Sequence, residues 1–111
     1  MTDEKPDILR QLAETIRARA AASADTSYTR SLLDGGADKC AKKLAEEAAE
    51  TVIAAVTQDE KALTSEAADL VYHLLVLLEA RGVPFDAVLA ELERRMGTSG
   101  HEEKAARGKG Q

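Results

Sequence analysis

The chain has 111 residues, 44% of them hydrophobic but only 3% aromatic, with 20 acidic against 15 basic side chains and a net charge of −5. This length gives one small domain with a modest core, and the acidic balance argues against nonspecific nucleic-acid binding, which needs basic surface. Cys40 has no partner for an internal disulfide, no apolar run is long enough to cross a bilayer, and "MTDEKPDILRQ" at the start lacks a signal core, so a soluble, cytoplasmic protein with no membrane partner is expected.

In chain order, Ile8, Leu12, Ile16 and Ala20 recur at helical spacing and predict a helix over 7–22, capped by Asp7 or Asp3. "SADTS" (23–27) is a polar break. "SYTRSLLDGG" (27–36) reads as a short helix stopped at Gly35-Gly36. A long helix follows over about 37–56, and "TQDEKAL" turns the chain into another over about 59–81, ended by Gly82. Pro84 opens a last helix, "PFDAVLAELERRM", that stops at Gly97. The remainder, "TSGHEEKAARGKGQ", is small and charged with no apolar stripe. No convincing β-type alternation or internal repeat interrupts this pattern. The expected organisation is one all-α domain over 1–97 with four to five helices, and a polar, flexible tail over 98–111.

A short turn joins the two long helices, so they should form an antiparallel hairpin. The apolar stripe expected on the 37–56 helix is Ala41, Leu44, Ala45, Ala48, Val52 and Val56, with alanines permitting close approach. The 59–81 helix carries Leu63, Ala67, Leu70, Val71, Leu74, Leu75, Leu77 and Leu78, and its second half is apolar nearly all round. A helix of that kind is covered on more than one side. In so small a chain, a second subunit is the expected cover.

Carboxylates recur on this hairpin. Glu47 and Glu50 lie three apart on the first long helix, as do Glu66 and Asp69 on the second, with His73 four beyond Asp69. Glu46, Glu47 and Glu50 fall opposite the expected alanine stripe, which is the position of a solvated acidic face. Asp69 fits that account less well, because aspartate is a poor helix-interior residue and here sits within "AADLVYHLLVLL". Four carboxylates converging across a hairpin repel one another, and a divalent cation removes that penalty. All-oxygen ligation suits Mg²⁺, with Mn²⁺ as a substitute. His73 reads as a half-buried, hydrogen-bonded side chain rather than a ligand, and Cys40 as a small inert one. Lys42 and Lys43 either pair locally with Glu46 and Glu47 or contact phosphate, Lys43 being the better placed for the second role.

These segments together carry a resemblance. "SYTRSLLDGGADKCAKKLAEEAAETVIAA", "SEAADLVYHLLVLLEARGVPFDAVLAELERRMG" and "SGHEEKAAR" resemble the phosphoribosyl-ATP pyrophosphatases of histidine biosynthesis over roughly residues 8–107. That family belongs to the all-α nucleoside triphosphate pyrophosphatase (MazG-like) group, whose ExxE…ExxD metal motif falls on Glu47, Glu50, Glu66 and Asp69. The resemblance implies Mg²⁺-dependent hydrolysis of phosphoribosyl-ATP to phosphoribosyl-AMP and pyrophosphate. It also implies a homodimer, or a higher homo-oligomer, whose paired hairpins form a four-helix-bundle core. On this reading Glu46 or Glu50 takes the proton of the attacking water. Lys42 and Lys43 meet phosphate, and Ser99, Lys104 and Arg107 reach the phosphoribosyl end. Association with the next enzyme of the pathway is a further expectation. The alternatives are a housekeeping (d)NTP pyrophosphatase with the same metal cluster, and a non-catalytic helical dimerisation domain.

Overall fold

A computed structural model describes residues 7–22 and 27–97 and consists of five α-helices: α1 (Ile8–Ala21), α2 (Tyr28–Asp34), α3 (Gly36–Thr57), α4 (Glu60–Ala80) and α5 (Phe85–Met96). Three of them begin at a side-chain cap. The Asp7 carboxylate accepts the Leu9 and Arg10 amides at 3.1 and 3.3 Å, Ser27 Oγ accepts Arg30 N–H at 3.2 Å, and the Asp59 carboxylate accepts Ala62 N–H at 2.9 Å. Each satisfies a donor that the first helical turn leaves without a partner.

The all-α class expected from the periodicity is what the chain adopts, and among the described residues there is no strand. Gly36 takes φ +84°, a left-handed value that costs glycine little, so α2 passes into α3 without an intervening loop. Gln58 and Asp59 alone separate α3 from α4, and the two form the antiparallel hairpin that dominates the fold. Gly82, at φ +70°, turns the chain out of α4, and Pro84 then sets the extended backbone ahead of α5.

Helices α1 and α2 pack on one flank of the hairpin. Ile16, Leu32, Cys40, Leu75 and Val76 form the buried core, with Leu12, Leu33, Tyr72 and Phe85 packed around it. Each large apolar side chain removed from water there contributes roughly 1.5–3 kcal/mol, so this core is small. Phe85 brings α5 to its edge, and an Arg10–Asp86 ion pair at 3.0 Å ties α5 to α1.

The expected stripe on the 37–56 helix needs correction. The buried positions of α3 are Cys40, Glu47 and Ala54. Ala41, Ala45, Val52 and Val56 from the expected stripe are exposed, Val52 at 64% and Val56 at 76%. Leu44 and Ala48 of that stripe are half-buried, so the apolar wheel marked a surface that the described residues cover only in part. The face of α3 that does pack carries a glutamate at its centre. On α4, Leu75 and Val76 are buried, while Val71 and Leu74 remain exposed.

Candidate functional site

The hairpin brings Glu47 of α3 against Glu66 and Asp69 of α4. Each offers one carboxylate oxygen, and the three oxygens lie within 4.8 Å of one another. Glu66 and Asp69 stand three apart on one helix face, and the antiparallel register sets that face against Glu47. Glu47 is only 9% exposed. Burial pushes its carboxyl pKa above the ordinary value, and a hydrogen bond with Glu50 and the nearby Glu50 and Asp69 charges push the same way, while His73 opposes them.

Glu50, the fourth ligand expected from the sequence, thus joins the cluster through Glu47 and lies outside the set of three. Glu46 points elsewhere: its carboxylate accepts Lys43 at 3.4 Å. That pair is spaced i,i+3, where the sequence reading expected i,i+4. It raises the Lys43 pKa, with smaller contributions from Tyr28 and Glu47, so Lys43 stands beside the cluster as a cation. Lys42 is exposed. Ser99, Lys104 and Arg107 lie outside the described residues.

Behind the carboxylates sits an assembly that sequence spacing did not reveal. His73 is buried on α4, and its Nδ1 lies 2.8 Å from the Asp69 carbonyl. A carbonyl only accepts, so Nδ1 donates to it, and Nε2 is hydrogen-bonded to Tyr28 Oη of α2 at 3.2 Å. Thr29 hydrogen-bonds Tyr72 Oη, and the two tyrosine rings stack with centroids 6.3 Å apart. The first two residues of α2 are thereby hooked onto the turn of α4 that carries Asp69. The only signal in the sequence was the coincidence of two tyrosines and a histidine in a chain so poor in aromatics. Cys40 is buried, donates its thiol to the Leu32 carbonyl at 3.3 Å, and has its pKa raised by that burial, which fits a packing role.

Three hard oxygen donors from two helices, with a half-buried lysine at their edge, are chemically suited to a divalent cation and an anionic ligand. Against known protein families, residues 9–96 match the model described as phosphoribosyl-ATP pyrophosphohydrolase. The chain belongs to the phosphoribosyl-ATP pyrophosphohydrolase family. It is 61% identical to the phosphoribosyl-ATP pyrophosphatase of Azorhizobium caulinodans, over 89% of this chain and 91% of that one. It is 60% identical to phosphoribosyl-ATP pyrophosphatase 1 of Bradyrhizobium diazoefficiens, over 89% and 93%, and 60% identical to the phosphoribosyl-ATP pyrophosphatase of Rhizorhabdus wittichii, over 92% and 96%. The family match covers all five helices except the first residue of α1.

Proposed function

We propose that this chain hydrolyses phosphoribosyl-ATP between its α and β phosphates, giving phosphoribosyl-AMP and pyrophosphate in histidine biosynthesis. The observation that carries the reading is the meeting of Glu47, Glu66 and Asp69 within 4.8 Å, in a chain whose relatives bear the pyrophosphatase name. The donor set fits Mg²⁺, or Mn²⁺ in its place, because both are hard ions that take carboxylate oxygens. Such an ion, when bound, neutralises triphosphate charge and stabilises charge on the leaving pyrophosphate.

The chain's own residues divide the remaining work. Glu47, Glu66 and Asp69 hold the ion. Glu50 is the better candidate than Glu46 to take the proton of the attacking water, since Glu50 acts electrostatically on Glu47 and Glu46 is occupied by Lys43. Lys43 contributes a positive charge for phosphate oxygens, with Lys42 as a more exposed second cation. Ser99, Lys104 and Arg107 are assigned to the phosphoribosyl end on the resemblance of the tail.

The chain works as a homodimer on this reading. Val52, Ile53 and Val56 of α3 and Val71 and Leu74 of α4 remain exposed, and a second copy would bury them. No described helix is long and apolar enough to cross a membrane. The deciding experiment is pyrophosphate release by the purified chain from phosphoribosyl-ATP, set beside dNTPs, with and without Mg²⁺. Rapid Mg²⁺-dependent release from phosphoribosyl-ATP alone is expected. Release from dNTPs instead points to a housekeeping pyrophosphatase, and no release from either means a non-catalytic helical domain.

A further inference from the structure

Thr51 lies at the seam of the hairpin, half-buried, one turn beyond Glu47. Its Oγ1 stands 2.8 Å from the Glu47 carbonyl of its own helix and 3.1 Å from the Glu66 carbonyl of the opposite helix. A hydroxyl has a single hydrogen, so the two carbonyls share it in a three-centre bond. The in-helix half of this arrangement is ordinary for threonine. Thr15 and Thr57 make it too, to Gln11 and Ile53 at 2.9 and 2.7 Å, and neither is hydrogen-bonded to a second helix among the described residues. Only the reach of Thr51 to Glu66 is unexplained by that habit.

The two carbonyls it joins belong to Glu47 and Glu66, whose side chains supply two of the three oxygens of the acidic cluster. One hydroxyl therefore fixes the separation and register of the backbone at both points from which those side chains hang. Like charges on facing helices push the helices apart, and a slip of either helix would carry its carboxylate out of the set. We propose that Thr51 is a positioning residue for the metal site: its hydroxyl clamps the Glu47 and Glu66 backbones so that their carboxylates meet at one ion. The proposal rests on the metal-binding reading above and adds a residue that touches neither metal nor substrate.

The test is Mn²⁺ affinity, measured on the full chain by the electron paramagnetic resonance signal of free Mn²⁺, with helix content and melting recorded without metal. Thr51→Val keeps the shape and loses the hydroxyl, and it is expected to weaken Mn²⁺ binding by about tenfold at unchanged helix content, as loss of a supporting contact does at metal sites. Thr51→Ser, which restores the hydroxyl, is expected to recover wild-type affinity. If Thr51→Val does not fold, Thr51→Ala takes its place with the same expectation. Wild-type affinity in the variant lacking the hydroxyl overturns the proposal, as does a Thr51→Ser affinity no better than that of Thr51→Val. A wild-type chain that binds no Mn²⁺ instead removes the metal reading itself, which keeps the two failures apart.

Discussion

Replacing Glu47 with glutamine should change the stability of this protein in opposite directions with and without metal. Two ionised carboxylates whose oxygens lie within 4.8 Å of one another repel by at least about 0.9 kcal/mol at the dielectric of bulk water and at least about 3.5 kcal/mol at an effective dielectric of 20. Asp69 is exposed and Glu66 half-buried but Glu47 is buried, so the lower figure is the floor for each pair. Glu47→Gln removes two such pairs, a gain of at least about 2 kcal/mol without metal, or roughly 5–10 °C in melting temperature. The amide still fits the carboxylate's space and can hydrogen-bond Glu50. The wild type, in contrast, should gain about 2.7 kcal/mol when the ion is at a hundredfold excess over its Kd, and the variant should gain nothing. Melting curves at pH 8, recorded by circular dichroism across a Mg²⁺ or Mn²⁺ series, should therefore cross. Because the Glu47 pKa is raised above its ordinary 4.5, its charged form is the penalised one. The metal-free gap between variant and wild type is full above that raised value and closes as the pH falls through it toward 4.5. A metal-free Glu47→Gln chain that melts below the wild type refutes the electrostatic argument, and a wild type indifferent to both ions refutes the site.

Asp69→Asn should abolish Mg²⁺-dependent pyrophosphate release while leaving the far-ultraviolet dichroism unchanged; retained turnover removes Asp69 from the ligand set. Ile16→Ala, at a position almost wholly buried between α1 and the hairpin, should cost about 2–5 kcal/mol by denaturant titration. The carboxyl of Glu91 is held down to about 2 by hydrogen bonds from Arg94 and Arg95, so its nuclear magnetic resonance titration should have its midpoint there and move up in Arg94→Ala. The contribution of that group to stability is present above the ordinary 4.5 and is lost as the pH falls from there to about 2. Val52→Lys combined with Val56→Lys should halve the mass seen by light scattering, because two charges would then occupy the apolar face assigned to the second copy. An unchanged mass places the contact elsewhere.

The helices were legible because their boundaries are written in short-range chemistry. Asp7, Ser27 and Asp59 are cap residues followed by helical periodicity, and Gly36 and Gly82 occupy turns that need positive φ. Which face of α3 points inward was not legible. A hydropathy wheel gives the inner face to alanine and valine, whereas the packed face carries Cys40, Glu47 and Ala54. The wheel measures affinity for a covering surface and does not say whether that surface belongs to the same chain. Asp69 escaped this ambiguity because aspartate in an apolar helix is anomalous whichever face is covered. The Thr51 clamp and the Tyr28–His73 bond depend on register between helices distant in sequence, for which single-chain periodicity has no counterpart.

The stacking of Tyr28 on Tyr72 beside His73 has an optical consequence. The chain has two tyrosines and no tryptophan, so all of its tyrosine fluorescence originates in this pair. One ring is hydrogen-bonded to the histidine that follows Asp69, and the other to Thr29. Any movement of α2 against α4 alters both emitters together. The unlabelled protein thus carries its own tyrosine reporter of the contact between α2 and α4, and stopped-flow emission on adding Mg²⁺ or nucleotide tests, without a dye or an added tryptophan, whether either ligand moves that contact.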